Sequence, residues 1–340
     1  MSKNIDGLPQ LTIPSGLSLR FSTPRSLRLE EVEDNPEKNR RIDLSVIIVN
    51  YNTGIFLEKC LKSVLSSQIA DLNIEIFVVD NSSHDGSEQV ATKFPSATLI
   101  KNKKNLGFAK ANNIAIRRAK GKFILLLNPD TEVEKDTISK MIEFMNKNPK
   151  AGAVTCKVLL PSGQIDWASH RGFPTPWNAF CYFLRLSKIF PQSKLFSGYH
   201  QTYKGLGEIH EIDSPSGAFY MLKREVIDKV GLLDEDYFMY GEDLDWSWRI
   251  KAAGFKIYYN PATQIIHYKG IASGIKEHSL KISQAEVKTR LKAAKAFYDT
   301  MKIFYQKHYE AKYPKFVKWL VFLGLNLLKN RRLAKLRGFI

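Results

Sequence analysis

The chain has 340 residues, 44% of them hydrophobic, and carries 51 Lys and Arg against 34 Asp and Glu for a net charge of +17. That length allows a sizeable core in one large or two modest domains, and the basic balance points to a polyanionic partner: nucleic acid, anionic lipid or a phosphorylated ligand. Three distant cysteines, Cys60, Cys156 and Cys181, argue against a disulfide framework or a cysteine metal site and fit reduced thiols in the cytosol. The residues after Met1 lack the apolar run of a signal peptide, and no stretch has the roughly 20 apolar residues of a membrane span. A cytoplasmic protein is expected.

Residues 1–42, with Pro9, Pro14, Pro24, Pro36 and the mixed charges Glu30 to Arg41, read as a poorly ordered extension, although Leu17, Leu19 and Phe21 suit an edge strand. From Leu44 short apolar runs alternate with amphipathic helices, the pattern of a parallel βαβ sheet. Leu44 to Val49 form a first strand. The spacing of Phe56, Leu57, Cys60, Leu61, Val64 and Leu65 predicts a helix with one buried face. Ile74 to Val79 form a second strand, closed by the loop Asp80 to Ser87, which is dense in hydrogen-bonding side chains. Such a loop is either a pair of turns with an N-cap or, at a strand's carboxyl end, a ligand loop. A helix over Phe108 to Ala119 follows, with Gly121 expected as its left-handed cap.

Phe123 to Leu127 read as a central strand buried on both faces. Asn128 and Pro129 stop it and set Asp130 at the carboxyl edge of the sheet, where open α/β sheets bind ligands. Asp130 is either a cap for the next helix or a group facing the cleft. Ile138, Met141, Ile142 and Met145 mark that helix, and Ala153 and Val154 begin another strand. Around Pro161-Ser-Gly163 the rhythm breaks, and residues 164–212 mix aromatics such as Trp167, Phe173, Trp177 and Phe183 with Arg171, Arg185, Lys188 and Lys194. A substrate-covering or membrane-facing insertion is expected.

Gly217 to Leu222 return to a strand, and a short helix over 223–231 ends at Gly231. Glu242, Asp243 and Asp245 crowd the first turn of a further helix, where the macrodipole favours carboxylates whether or not they do chemistry. Gly254 ends it, and Ile265-Ile-His267 closes another short strand. Val287, Leu291, Ala294, Tyr298, Met301, Tyr305 and His308 predict a long helix packed through one stripe. The last segment sets Phe316, Val317, Trp319 to Leu323, Leu325, Leu327 and Leu328 among Lys315, Lys318, Lys329, Arg331, Arg332, Lys335 and Arg337 with no acidic residue, which suits an interfacial helix on an anionic membrane or a packing helix with a basic tail.

These residues resemble the family 2 inverting glycosyltransferases, and within them the bacterial rhamnosyltransferase branch. The resemblance rests on Ser45-Val-Ile-Ile-Val-Asn-Tyr-Asn52, Val78-Val-Asp-Asn-Ser-Ser83, Asn105-Leu-Gly-Phe-Ala-Lys-Ala-Asn-Asn113, Leu126-Leu-Asn-Pro-Asp130, Ser216-Gly-Ala218, Phe238-Met-Tyr-Gly-Glu-Asp-Leu-Asp-Trp246 and His267. It implies the GT-A nucleotide-diphospho-sugar transferase fold, a mostly parallel central sheet flanked by helices, over 43–275. A nucleotide-binding half, 43–155, and an acceptor half, 156–275, would make up that domain, with C-terminal helices and a membrane-facing tail over 276–340.

The resemblance implies that Asn50, Asn52 and Asp80 hold nucleobase and ribose and that Asn105, Gly107, Asn112, Asn128 and Gly217 line the nucleotide-sugar pocket. The family's Asp-x-Asp element has Asn128 in its first position here, which leaves Asp130, with His267, to bind Mg2+ or Mn2+. Asp243 is the expected general base, with Glu242 or Asp245 orienting the acceptor, Trp246 walling the sugar and Arg249 pairing with a carboxylate or phosphate. The implied reaction moves a sugar, L-rhamnose from dTDP-L-rhamnose in the branch it resembles, to a saccharide or lipid-linked acceptor in cell-surface polysaccharide synthesis, at the inner face of the membrane. A UDP-sugar donor fits the same motifs, and the oligomeric state is unspecified. Nucleotidyl transfer on a related fold lacks a glycine-rich triphosphate loop after the first strand. A non-catalytic basic module for nucleic acid or membrane leaves the Glu242–Asp245 carboxylates without purpose, and no nucleic-acid partner is expected.

Overall fold

The computed structural model describes residues 41–69, 71–272 and 286–337; the expected extension over 1–42 lies almost wholly outside them. The apolar runs become β1 (Leu44–Asn50), β2 (Ile74–Asp80), β3 (Ala97–Lys101) and β4 (Phe123–Leu127). They pair in parallel in the order β3-β2-β1-β4. The helices between them are α1 (Gly54–Leu65), α2 (Ser87–Thr92) and α3 (Phe108–Ile116). Every residue of β1 and β4 is buried, as unbroken apolar strands covered on both faces require.

Beyond β4 the sheet turns mixed. The short β5 (Thr131–Val133) leads to α4 (Thr137–Lys147), β6 (Ala151–Leu159), the insertion helices α5 (Pro176–Phe183) and α6 (Leu186–Ile189), and β7 (His210–Ile212). Then come β8 (Phe219–Lys223), α7 (Arg224–Val230), α8 (Glu242–Ala252) and β9 (Lys256–His267). β8 enters antiparallel between β4 and β6, β9 runs parallel to β6, and β5 and β7 pair antiparallel with β9. Instead of a short strand ending at His267, β9 is a 12-residue strand. Its register with β5 sets Thr131 opposite His267 and so brings His267 beside Asp130.

The two faces of the sheet carry separate cores. On one, Leu57, Cys60, Leu61 and Val64 of α1 join Ile138, Met141 and Met145 of α4; on the other, Ala111 and Ala115 of α3 pack with Val226 of α7 and Trp246 and Ile250 of α8. Leu65, expected on the buried face of α1, is 38% exposed because it is the last residue of the helix. Gly121 is not a left-handed cap, since its φ lies outside the positive range. A Cβ there would stand 2.5 Å from the Ser45 amide nitrogen, so close approach of two backbones selects glycine instead.

A helical pair, α9 (Val287–His308) and α10 (Lys315–Arg337), closes the acidic side of the domain. The buried residues of α9 are Ala293, Ala294, Thr300, Phe304 and Tyr305, so the stripe is rotated from the one expected, and Val287 at the start is exposed. Phe304, Tyr305 and Tyr309 pack with Tyr237 and Leu244, and Val321 and Phe322 of α10 pack against that cluster. The opposite side of α10 leaves Phe316, Trp319 and Leu327 between 63% and 65% exposed.

Candidate active site

One cavity of about 850 Å³ opens along the carboxyl ends of β1, β2 and β4. Three groups stand on its wall: Tyr51, Asn81 and Gly107; Asn128, Asp130 and His267; and Glu242 and Asp243. The first group is set by two adjoining loops. The Asn50 amide donates to Asp80 Oδ1 and to Ser83 Oγ, both at 3.0 Å, and Thr53 Oγ1 donates to Asn50 Oδ1 at 2.5 Å. Asn52, at φ 53°, accepts the His84 amide at 2.8 Å. Asp85 accepts the Gly54 amide at 2.8 Å, so the loop after β2 caps α1 rather than making isolated turns.

Asn81, which sequence reasoning passed over, ties the next loop together. Its Nδ2 donates to Asn105 Oδ1 and the Gly107 carbonyl, while its Oδ1 accepts from Asn102 Nδ2 and the Leu106 amide. Gly107 takes φ 87°, and a Cβ there would meet the Phe238 carbonyl oxygen at 2.4 Å. Asn112 does not enter the cavity: it is buried and donates to the Phe108 carbonyl of its own helix at 2.9 Å. Gly217 does line it, with a Cβ at that position held 2.9 Å from the Phe108 ring.

In the second group, α4 begins at Thr137 with Asp136 in the cap position, which frees Asp130 from the capping alternative. Asp130 Oδ1 lies 3.3 Å from His267 Nε2, and Asn128 Nδ2 lies 3.5 Å from the same nitrogen. On the far side His267 Nδ1 meets Asp166 Oδ2 at 2.8 Å, and Lys269 reaches the other Asp166 oxygen. Asp166 comes from the insertion, 101 residues away in sequence, so no local signal announces it. Burial opposes the imidazolium of His267, but the flanking Asp130 and Asp166 carboxylates outweigh it and raise its pKa to about 9. The same partners hold Asp130 and Asp166 below the usual carboxylate range against the effect of burial.

No group of three or more His, Cys, Asp or Glu side chains able to hold a metal occurs among the described residues. Two protein ligands nonetheless fit Mg2+ or Mn2+ where substrate phosphates supply the remaining oxygens, which is how such ions are usually held beside a diphosphate. The carboxylate of Asp130 and, once the ion displaces the Nε2 proton, the ring of His267, both on the cavity wall, are the donors available.

In the third group, α8 starts after Gly241 at φ 84°. Asp243 Oδ2 accepts from Arg171 NH2 at 2.6 Å and its Oδ1 accepts the Leu244 amide at 2.8 Å. Glu242 Oε2 is buried without a hydrogen-bond partner, and so is Arg171 Nε. Burial, then the neighbouring Asp243 charge, raises the Glu242 pKa. Buried unsatisfied atoms on a cavity wall are what a site prepared for a polar ligand presents.

Three expected site residues of α8 point elsewhere, as Asn112 does. Asp245 accepts from Arg249 Nε at 2.8 Å and contacts His308 Nε2 at 2.7 Å, so it anchors α9 instead of reaching an acceptor. Arg249 pairs with that carboxylate and donates to the Val230 and Leu232 carbonyls, away from any phosphate. Trp246 is fully buried in the core and donates Nε1 to the Gly231 carbonyl at 2.9 Å. The reason is helical phase: with Asp243 turned to the cavity, positions two, three and six residues on face the sheet or α9.

Comparison with known proteins decides the class. Residues 45–207 match the sequence profile of glycosyl transferase family 2. The chain carries a family 2 glycosyltransferase domain. A Mycobacterium tuberculosis relative, named N-acetylglucosaminyl-diphospho-decaprenol L-rhamnosyltransferase, is 27% identical over 243 residues, 68% of this chain and 78% of the relative. The rhamnosyltransferase WbbL of Escherichia coli K12 is 26% identical over 66% of this chain and 82% of its own. The mannosyltransferase PcManGT from Pyrobaculum calidifontis, solved with GDP-Man and Mn2+, superposes with a TM-score of 0.51 at 18% identity, over 88% of this chain and 74% of the other. The glycosyltransferase described here therefore has the GT-A fold, and further relatives are named for minor teichoic acid and O-antigen biosynthesis.

Proposed function

We propose that the enzyme transfers L-rhamnose from dTDP-L-rhamnose to a lipid-linked saccharide by one inverting displacement. The observation that carries this reading is the single cavity joining the Asn81–Gly107 loops, the Asp130–His267 pair and the Glu242–Asp243 end of α8. Inversion needs a base on the face opposite the departing diphosphate, and all three groups line this one cavity. The names of the two rhamnosyltransferase relatives support the donor, and the diphospho-decaprenol in one of them supports a lipid-linked acceptor.

In this reading the Asn50–Asp80 and Asn81–Asn105 loops hold the nucleoside, and Asn128 and Gly217 bound the sugar. Asp243 takes the proton from the attacking hydroxyl, while Arg171 fixes the rotamer of its carboxylate. Glu242 accepts a hydrogen bond from the acceptor through Oε2. A divalent cation held by Asp130 and His267 would neutralise the charge developing on the diphosphate. Asp166 orients the His267 ring through Nδ1, the outer-shell role that carboxylates play behind ligating imidazoles.

Calorimetric titration with dTDP, UDP, GDP and NAD, with and without Mn2+, tests the donor. Mn2+-dependent binding of dTDP is the expected result; preference for UDP would replace rhamnose by a UDP-sugar, and no diphosphate binding would sink the enzyme reading. Asp166→Asn is expected to weaken the Mn2+-dependent binding by roughly 10- to 100-fold, and Asp130→Asn by more.

The outward face of α10 supplies the membrane contact of this proposal. No helix among the described residues is long and apolar enough to cross a membrane. Phe316, Trp319, Leu320, Leu323 and Leu327 are all at least 41% exposed and recur at helical spacing between basic residues, which suits a helix lying in the interface of an anionic leaflet. Trp319→Glu with Leu323→Glu should abolish cosedimentation with phosphatidylglycerol vesicles and leave dTDP affinity unchanged. Undiminished cosedimentation would show that α10 is not the contact.

A further inference from the structure

A second cavity, about 610 Å³, adjoins the active site and shares Tyr182, Phe183, His200 and Phe297 with its wall. Arg185 and Lys188, from the junction of α5 and α6, and Arg332, from α10, line it, and no carboxylate does so among the described residues. Nothing in the donor reaction uses this cavity. Cations from two separate elements on the wall of one concave site, with Arg185 and Lys188 exposed, suit an anion on the acceptor side beside the cavity that holds the transfer chemistry.

The surroundings narrow the anion to one attached to an apolar chain. Leu184 and Ile189, which flank Arg185 and Lys188 in sequence, are 55% and 66% exposed, and Phe190 and Phe180 are about half exposed. Such an apolar surface around a basic mouth is more than a free sugar or a nucleotide needs. Arg185 itself is held at φ 59°, a left-handed conformation that a non-glycine residue adopts only where its surroundings impose it.

We propose that this second cavity binds the diphosphate of a lipid-linked acceptor through Arg185, Lys188 and Arg332, with the prenyl chain leaving across the exposed face of α5 and α6 and the saccharide reaching Asp243 through the shared wall. The proposal rests on the glycosyl-transfer reading above and names the part of the acceptor that the reading leaves open.

Farnesyl diphosphate is a soluble probe that needs no knowledge of the acceptor sugar. Its binding to the full chain is measured by calorimetry with the nucleoside diphosphate that binds best kept at saturation, so that the donor site is blocked. Farnesyl diphosphate should bind at least tenfold more tightly than inorganic pyrophosphate, because only the former offers both the anion and the chain. The exposed pair Arg185→Gln with Lys188→Gln should remove that advantage while nucleoside diphosphate affinity stays the same. Equal binding of the two probes, or full farnesyl diphosphate binding by the double variant, would overturn the proposal. So would full displacement of farnesyl diphosphate from the wild type by a soluble short-chain phosphatidylglycerol below its micelle threshold, which would assign the cations to a leaflet headgroup. Failure of every nucleoside diphosphate to bind would instead strike the donor reading and is seen in a separate titration.

Discussion

Asp243→Asn is expected to lower the transfer rate by roughly 10²- to 10⁴-fold, the share a positioned general base supplies, while leaving dTDP binding intact. The substitution keeps the shape of the side chain and its acceptor for the Leu244 amide, but an amide cannot take a proton. Rate and affinity therefore separate. The measurement is a single-turnover rate beside a calorimetric titration of the same preparation. Glu242→Gln is the companion variant, because Glu242 stands on the same cavity wall with its Oε2 unpartnered. Retained turnover in Asp243→Asn and lost turnover in Glu242→Gln would move the base by one residue.

Arg171→Met should lower stability strongly, as should any change that strands either partner of this pair. The Arg171–Asp243 pair is buried, with side chains 10% and 11% exposed, and Arg171 also donates to the Pro215 carbonyl at 2.7 Å. Removing one partner of a buried pair leaves an uncompensated charge, at a cost of roughly 3–5 kcal/mol. In a domain of this size that lowers the midpoint of thermal unfolding by about 10 °C. The double variant Arg171→Met, Asp243→Asn removes the stranded charge with its partner, and most of the lost stability should return while activity does not. A double variant no more stable than Arg171→Met alone would show that the guanidinium acts through the Pro215 carbonyl instead.

The two variants probe the two ways in which this site is assembled. Asp243 sits in an acidic helix start that is visible in the sequence; Arg171 reaches it from 72 residues away. The same division runs through the rest of the molecule. Phe123 to Leu127 announce a buried strand by composition, and the turn chemistry of Asn128 and Pro129 places Asp130 at its carboxyl end. By contrast, the antiparallel entry of β8 beside β4 has no signature in either strand, since an apolar run reads alike in both directions.

Asp245, Trp246 and Arg249 show where motif reading stops. They stand in one block with Glu242 and Asp243, yet a helix turns each successive residue by a fixed angle, so one block is divided among cavity, core and a neighbouring helix. His267 shows the converse. It is distant in sequence from Asp130, but the pairing of β5 with β9 sets Thr131 opposite it.

The sequence by itself determined the parallel first half of the sheet, the loops at its carboxyl edge and the acidic turn of α8, because periodicity, turn residues and caps act over a few neighbours. Only the tertiary structure decided that Asp166 and Arg171 leave the aromatic insertion to hold His267 and Asp243, that Asp245 faces α9, and that Arg185, Lys188 and Arg332 share one cavity. Those contacts join segments tens to more than a hundred residues apart. Chain closure and packing set such contacts, and no local pattern encodes them.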